Sequence, residues 1–364
     1  MRARDHGIII GDGTPGPENA ITDVAGVLVG HTTLVEGSGT LDVGRGPVRT
    51  GVTVVLPPGD VWTRPVFAGA HRLNGNGEMT GLEWVRESGL LTSPVAITNT
   101  HSVGVVRDAL LVDMLAAGRT VPWGLPVVGE TWDGVLNDIN GFHVRAEHLH
   151  AAIAGAADGP VPEGAVGGGT GMICHGFKGG IGTASRVRPA EEGGHTVGVL
   201  VQANHGQRRR LAVNGVPVGR MFDDVPLPGD PAAGRPEGAG SIIVLVATDA
   251  PLLPHQCTRL AQRAGLGIAR VGGLGEHNSG DLFLCFATGN RGMTPGDLGE
   301  QAPVSFDLGM LADAHITGLF EAVVEATEEA IVNALIAAET SKGRDGIVAH
   351  GLDGGRLAAA VAGG

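Results

Sequence analysis

The chain has 364 residues, 42% of them hydrophobic and only 17% charged, which is enough to bury one large core or two ordinary ones and too apolar for extended disorder. Its formal charge of −13 repels phosphate backbones, and its single basic run, Arg208 to Arg210, reads as a short solvated face, so nucleic acid is excluded as a partner. Cys174, Cys257 and Cys285 are odd in number and far apart, which excludes a disulfide framework and a CxxC metal or redox motif and leaves core thiols in a reducing, cytoplasmic setting.

In chain order, the first apolar run, Ile8 to Ile10, is too short for a signal-peptide core, and no later stretch approaches the roughly 18 apolar residues of a membrane span. β-Branched runs bounded by glycine or proline predict strands over 26–29, 52–56, 95–98, 197–202, 241–248 and 282–288. Helical periodicity predicts helices over 105–117, 145–154, 254–264 and 316–338. Strands and helices mix throughout, which predicts a layered α/β or α+β architecture. The segment 221–240 carries four prolines and four glycines without periodicity and is expected to be an exposed loop. It runs directly into SIIVLVATDAP, a strand expected to be buried on both faces and headed by a hydroxyl residue.

That junction can carry chemistry. If Ser241 attacks the carbonyl of Gly240, an N-to-O acyl shift gives an ester, and water then releases Ser241 as a new N-terminus. Glycine suits the preceding position because it lacks a Cβ, tolerates unusual backbone angles and leaves its carbonyl open. The freed α-amine, with a reference pKa of roughly 7.7 to 8.0, can take the hydroxyl proton without a histidine. Taken alone, however, Gly-Ser before a strand is ordinary turn chemistry.

Other signals are weaker. The run Gly167-Gly168-Gly169-Thr170-Gly171 has neither the lysine spacing nor the βαβ context of a phosphate loop and reads as a turn of close backbone approach. Fourteen histidines include no HExxH, and His148 and His150 do not share a metal-binding spacing, so they read as surface or capping histidines.

Several blocks resemble, in order, the family of L-aminopeptidase/D-Ala-esterase/amidases and β-peptidyl aminopeptidases. They are NAITDVAGVLVGH from Asn19, GVTVVLP from Gly51, HRLNGNGEMTG from His71, ITNTHSVG from Ile97, GETWDGVLND from Gly129, GGGTGMICHGFKGGIGTASR from Gly167, VQANHG from Val201, GSIIVLVATDAPL from Gly240 and HNSGDLFLCFATGN from His277. The resemblance implies a four-layered α/β/β/α sandwich, similar to ornithine acetyltransferases, as a single domain over 1–364. It implies self-cleavage into 1–240 and 241–364, no metal or organic cofactor, and a homo-oligomer, commonly a tetramer, acting on small peptides or amino-acid amides.

Residue by residue, it makes Ser241 the nucleophile, Asn204 the side-chain donor to the oxyanion, and Ser279 and Asp281 the pair orienting the nucleophile and its amine. It places Asn74 to Glu78 near the substrate entrance. The chain departs from its relatives at Trp132, where they carry a tyrosine, and it contains no tyrosine at all. Tryptophan keeps one N–H donor but cannot accept, so Trp132 is expected to line the pocket. An acyltransferase of the ornithine-acetyltransferase type and an uncut, non-catalytic binding relative are the competing readings.

Overall fold

The computed structural model describes residues 1–116, 119, 123–229, 240–294 and 303–364. The strands and helices run in the order β1 (Leu28–Glu36), β2 (Val48–Leu56), β3 (Val66–Arg72), α1 (Leu82–Ser88), β4 (Leu90–Leu91), β5 (Val95–Asn99), α2 (Val103–Ala116), β6 (Val127–Thr131) and α3 (Ala146–Ala154). They continue with β7 (Ile173–Cys174), β8 (Phe177–Lys178), β9 (Gly180–Val187), β10 (Thr196–Asn204), β11 (Ser241–Thr248), α4 (Pro254–Arg270), β12 (Asp281–Ala287), α5 (Thr317–Ala337), β13 (Ser341–Lys342), β14 (Val348–Ala349) and α6 (Gly354–Ala362).

Two sheets carry the fold. One has the order β1-β2-β5-β6 and the other β4-β3-β12-β11-β10-β9. Both are mostly antiparallel, with β5/β6 and β11/β12 the parallel pairs. The alternation along β11 shows how the layers stack. Ile242, Val244 and Val246 pack with Leu260, Ala261 and Ala264 of α4 and with Ile331 of α5, whereas Ile243, Leu245 and Ala247 face Val55, Val95, Ile97 and Val127 of the other sheet. On the far side, Val52, Val54, Ala96 and Val128 pack against α2 and α3. The result is the expected α/β/β/α sandwich, and β11 is apolar throughout because it is covered on both faces.

Small residues set the closest approaches. A Cβ on Gly182 of β9 would lie 1.9 Å from the Ala330 carbonyl, so α5 can cross that strand only over glycine. Helix α4 runs to Arg270, beyond the predicted end at 264, and needs glycine where it crosses α5, since a Cβ on Gly267 would meet the Thr327 side chain at 2.6 Å. Helix α5 also buries Glu328 and Glu329, which are matched by Arg270 and by Arg4 and Arg186.

The predicted strands at 52–56, 95–98, 197–202, 241–248 and 282–288 are present. The expectation at 26–29 is displaced, since β1 begins at Leu28 and continues to Glu36 through a half-exposed polar stretch. Strands β3, β6 and β9 were not predicted, because glycine, alanine and serine dilute their apolar pattern. Of the expected loop over 221–240, positions 230–239 lie outside the described residues, as does position 117 of the expected helix over 105–117. Among the described residues, no helix is long and apolar enough to cross a membrane.

Candidate active site

Strand register brings distant residues to one end of the six-stranded sheet. Antiparallel pairing of β10 and β11 sets Asn204 opposite Ser241, and parallel pairing of β11 and β12 sets Ile242 opposite Asp281. Ser241 heads β11 and is almost fully buried, with its Oγ accepting the Gly280 backbone N–H at 3.0 Å. Ser279 Oγ donates to Asp281 Oδ1 at 2.6 Å, and the Ile242 N–H donates to the same oxygen at 3.2 Å. The Asp281 carboxyl thus sits against the Ser241–Ile242 peptide, one residue from the head of β11. Burial pushes it up to about 6, against the hydrogen bonds from Ser279 and Ile242.

Asn204 Oδ1 accepts the Ile173 N–H at 2.8 Å, while Nδ2 donates to the Trp132 carbonyl at 3.0 Å. The Trp132 indole is half-buried and lies over Gly134, where a Cβ would come within 2.4 Å of the ring. Gly240 is close to Asn204. Its φ is outside the left-handed region, so glycine is required here by contact instead of by unusual angles: a Cβ would fall 1.8 Å from the Asn204 carbonyl oxygen.

The NGNG segment serves the turn before β12. Asn74 Oδ1 accepts the Asp281 N–H at 2.7 Å and Asn74 Nδ2 donates to the Glu276 carbonyl at 3.0 Å, while the Asn76 N–H donates to the Ser279 carbonyl at 3.2 Å. Asn74 therefore braces the turn that holds Ser279 and Asp281. The Glu78 side chain is exposed, and the residue joins the site through its N–H, which donates to Glu130 Oε1 at 2.9 Å.

Glu130 is the residue that the sequence analysis passed over. It lies on β6, buried, with Thr100 Oγ1 donating to Oε2. A Cβ on Gly77 would be 2.9 Å from Gly280 Cα and 3.2 Å from Glu130 Oε1, so this carboxyl is adjacent to the turn that contacts Ser241. Burial holds its pKa above the usual range despite the bonds from Thr100 and Glu78. The available signal was a lone acid closing the apolar run PVVGE, since an acid in a buried strand needs a local reason.

Among the described residues, Cys174, His175 and His205 form the one group with metal-ligating spacing, their ligand atoms lying within 4.8 Å of one another. His175 Nδ1 is engaged by the Gln207 carbonyl at 3.1 Å, and the two rings pack edge to face with centroids 5.2 Å apart. Arg208 Nε donates to the His175 carbonyl at 3.0 Å and brings a permanent positive charge, which opposes a second cation there. The group reads as a packed imidazole pair. The glycines at 167–171 form no phosphate cradle, because Cβ atoms on Gly168, Gly169 and Gly171 would all meet protein atoms at 2.1 to 2.5 Å.

Comparisons with known proteins place the chain in a family. The model of peptidase family S58 matches residues 19–349. The β-peptidyl aminopeptidase of Sphingosinicella microcystinivorans is 50% identical over 98% of this chain and 91% of its own length. A Burkholderia sp. β-aminopeptidase superposes with a TM-score of 0.92 at 56% identity, covering 100% of this chain and 99% of that one. The L-aminopeptidase D-Ala-esterase/amidase of Ochrobactrum anthropi, described as a variant of the Ntn hydrolase fold, superposes with a TM-score of 0.89 at 45% identity, covering 100% and 98%. Fold and relatives together define a self-processing serine peptide hydrolase of the Ntn type. The chain belongs to peptidase family S58.

Proposed function

We propose that this protein cuts itself between Gly240 and Ser241 and then removes N-terminal residues, β-amino residues foremost, from short peptides and amides. The observation that carries the reading is the convergence of Asn204, Ser279, Gly280 and Asp281 on Ser241 at the head of a buried strand.

In the precursor, Ser241 Oγ attacks the Gly240 carbonyl carbon. The C–N bond breaks as its nitrogen gains the proton that Oγ gives up, leaving an ester and a free amine, and water hydrolyses the ester to a Gly240 carboxylate and restores the Oγ hydroxyl. In the mature enzyme the Ser241 amine takes the Oγ proton as Oγ attacks the substrate carbonyl, and the ammonium returns that proton to the leaving amine. Asn204 Nδ2 has two N–H groups and one goes to the Trp132 carbonyl, so the other is available to the oxyanion. Water then releases the acyl group from Ser241. N-terminal sequencing of the smaller fragment tests the cut, with Ser-Ile-Ile-Val-Leu the expected start and any other start fatal to it.

An aminopeptidase must hold its substrate's free ammonium, and the buried carboxylate beside the Ser241 turn that suits this role is Glu130. A β-amino residue puts one more carbon between that ammonium and the scissile carbonyl. The names of the Sphingosinicella and Burkholderia relatives support the longer spacing for this chain. Glu130→Gln is expected to raise KM for β-alanyl p-nitroanilide by about 10²-fold, the scale of one charge-assisted hydrogen bond, while leaving self-cleavage intact. An unchanged KM would remove Glu130 from amine binding.

The Asp281 carboxylate supports the Ser241 ammonium only when ionised. Its carboxyl is raised to about 6 in the uncut chain, and the positive amine of the cut chain draws it back down. The Ser241 amine must be neutral to take the Oγ proton, so the main acid limb of kcat/KM is expected near the amine's own pKa of roughly 7.7 to 8.0, above the range in which Asp281 titrates, with activity lost as pH falls through it. Asp281→Asn removes the negative charge that favours the ammonium and should move that limb to lower pH, and a limb that stays in place would remove Asp281 from contact with the amine.

A further inference from the structure

Resting on the oxyanion assignment of Asn204, we infer that Lys178 is the positioning residue of the oxyanion arm, holding the turn at 169–173 so that Ile173 fixes the Asn204 amide.

Lys178 is fully buried, and among the described residues it has no ion-pair partner within 4 Å. Its Nζ instead donates to three backbone carbonyls, those of Gly169 at 3.2 Å, Met172 at 2.9 Å and Gly179 at 2.8 Å. An ammonium has three N–H donors and all three are used, whereas a neutral amine would leave one carbonyl unmet. The Met172 carbonyl also accepts the Gly179 N–H at 2.9 Å, closing the turn on itself.

The next N–H along the chain, that of Ile173, donates to Asn204 Oδ1 at 2.8 Å. A side-chain amide whose oxygen is fixed has its two N–H groups fixed as well, because the amide is planar. One of these meets the Trp132 carbonyl and the other remains for the substrate oxygen. Position 172 therefore links the Lys178 ammonium to the direction of the catalytic N–H. On the opposite side of the same turn, a Cβ on Gly171 would contact Asp133 Cβ at 2.7 Å, so the turn is enclosed between the Lys178 and Asp133 side chains. Burial pushes Lys178 down to about 7 and Asp133 up to about 7, which shows how costly both groups are in the core unless they serve the geometry there. The glycine-rich run noted in the sequence is thus the frame of the oxyanion donor, its glycines allowing the lysine and neighbouring strands to close on it.

A double-mutant cycle tests this. Lys178→Met, Asn204→Ala and the double variant are compared with wild type for self-cleavage half-time by intact mass and, on cleaved material, for kcat and KM on β-alanyl p-nitroanilide. Lys178→Met alone is expected to lower kcat by about 10- to 100-fold with KM within about 3-fold, part of the loss expected when a donor is misaligned. In the Asn204→Ala background it is expected to cost less than about 3-fold more, because the two residues act through one interaction. Equal losses in both backgrounds, a change in KM alone, or no loss at all would overturn the inference. If Lys178→Met does not melt cooperatively, the same cycle with Lys178→Gln, which keeps two N–H donors, decides by the same criteria. The Asn204→Ala arm separates the two readings: an unchanged kcat there sinks the oxyanion assignment, whatever Lys178 does.

Discussion

Ser241→Ala is expected to leave the chain whole at 36.9 kDa and without measurable turnover, while wild type separates under denaturing conditions into residues 1–240 and 241–364. The effect is the largest expected because one atom serves two reactions. Oγ opens the Gly240 peptide and later carries the acyl group, so its loss removes both the processing step and the nucleophile. Loss of the nucleophile in a serine hydrolase typically costs about 10⁶ in kcat. Methyl for hydroxymethyl fits the site, since among the described residues Ser241 Oγ accepts one hydrogen bond, from the Gly280 N–H, and the variant should keep the fold. Intact mass spectrometry reads the result directly. A cut Ser241→Ala chain would show that another nucleophile or a contaminating protease makes the break, and a wild-type chain that stays whole would end the mature-hydrolase reading.

The second large effect is expected at Asn204. Asn204→Ala should lower kcat by about 10² to 10³, or about 2.7 to 4 kcal/mol of transition-state stabilisation, with a smaller change in KM. The oxygen of a bound amide becomes a full oxyanion only in the tetrahedral intermediate, so the missing donor is felt most there. A Cβ built on Gly240 would stand 3.4 Å from the same Nδ2, so the donor lies beside the residue whose peptide is to be cut and self-cleavage should slow in parallel. Asn204→Asp keeps the shape but replaces the N–H groups with an acceptor, and should be as poor as alanine. Full activity in either variant would transfer the oxyanion role elsewhere, with the Trp132 indole N–H the next group to examine.

Much of the candidate site is legible in the sequence. The Gly240-Ser241 junction stood out because a proline- and glycine-rich stretch runs straight into an apolar strand headed by a hydroxyl, and VQANHG and NSGD lay in blocks that resemble one family. What could not be read was how side chains divide their hydrogen bonds. Nothing in NGNGE says that the Asn74 amide binds the Asp281 N–H and the Glu276 carbonyl. Glu130 sat next to the conspicuous Trp132 and was passed over, because nothing in GETWDG says which side chain points inward.

Sequence by itself determined the layered α/β class, the strand at 241–248, the long helix near 316–338 and the family. These follow from apolar periodicity and from contiguous motifs, both of which are local properties of the chain. Tertiary structure alone decided which residues meet. Glycine-diluted strands such as β9 form because neighbouring strands and α5 supply the partners that their own sequence does not advertise. The register of β10, β11 and β12 then sets Asn204, Ser241 and Asp281 side by side, and the packing of Gly168, Gly169 and Gly171 closes the Lys178 turn. Register and close packing depend on atoms far apart in the chain, so no reading of neighbouring residues could supply them.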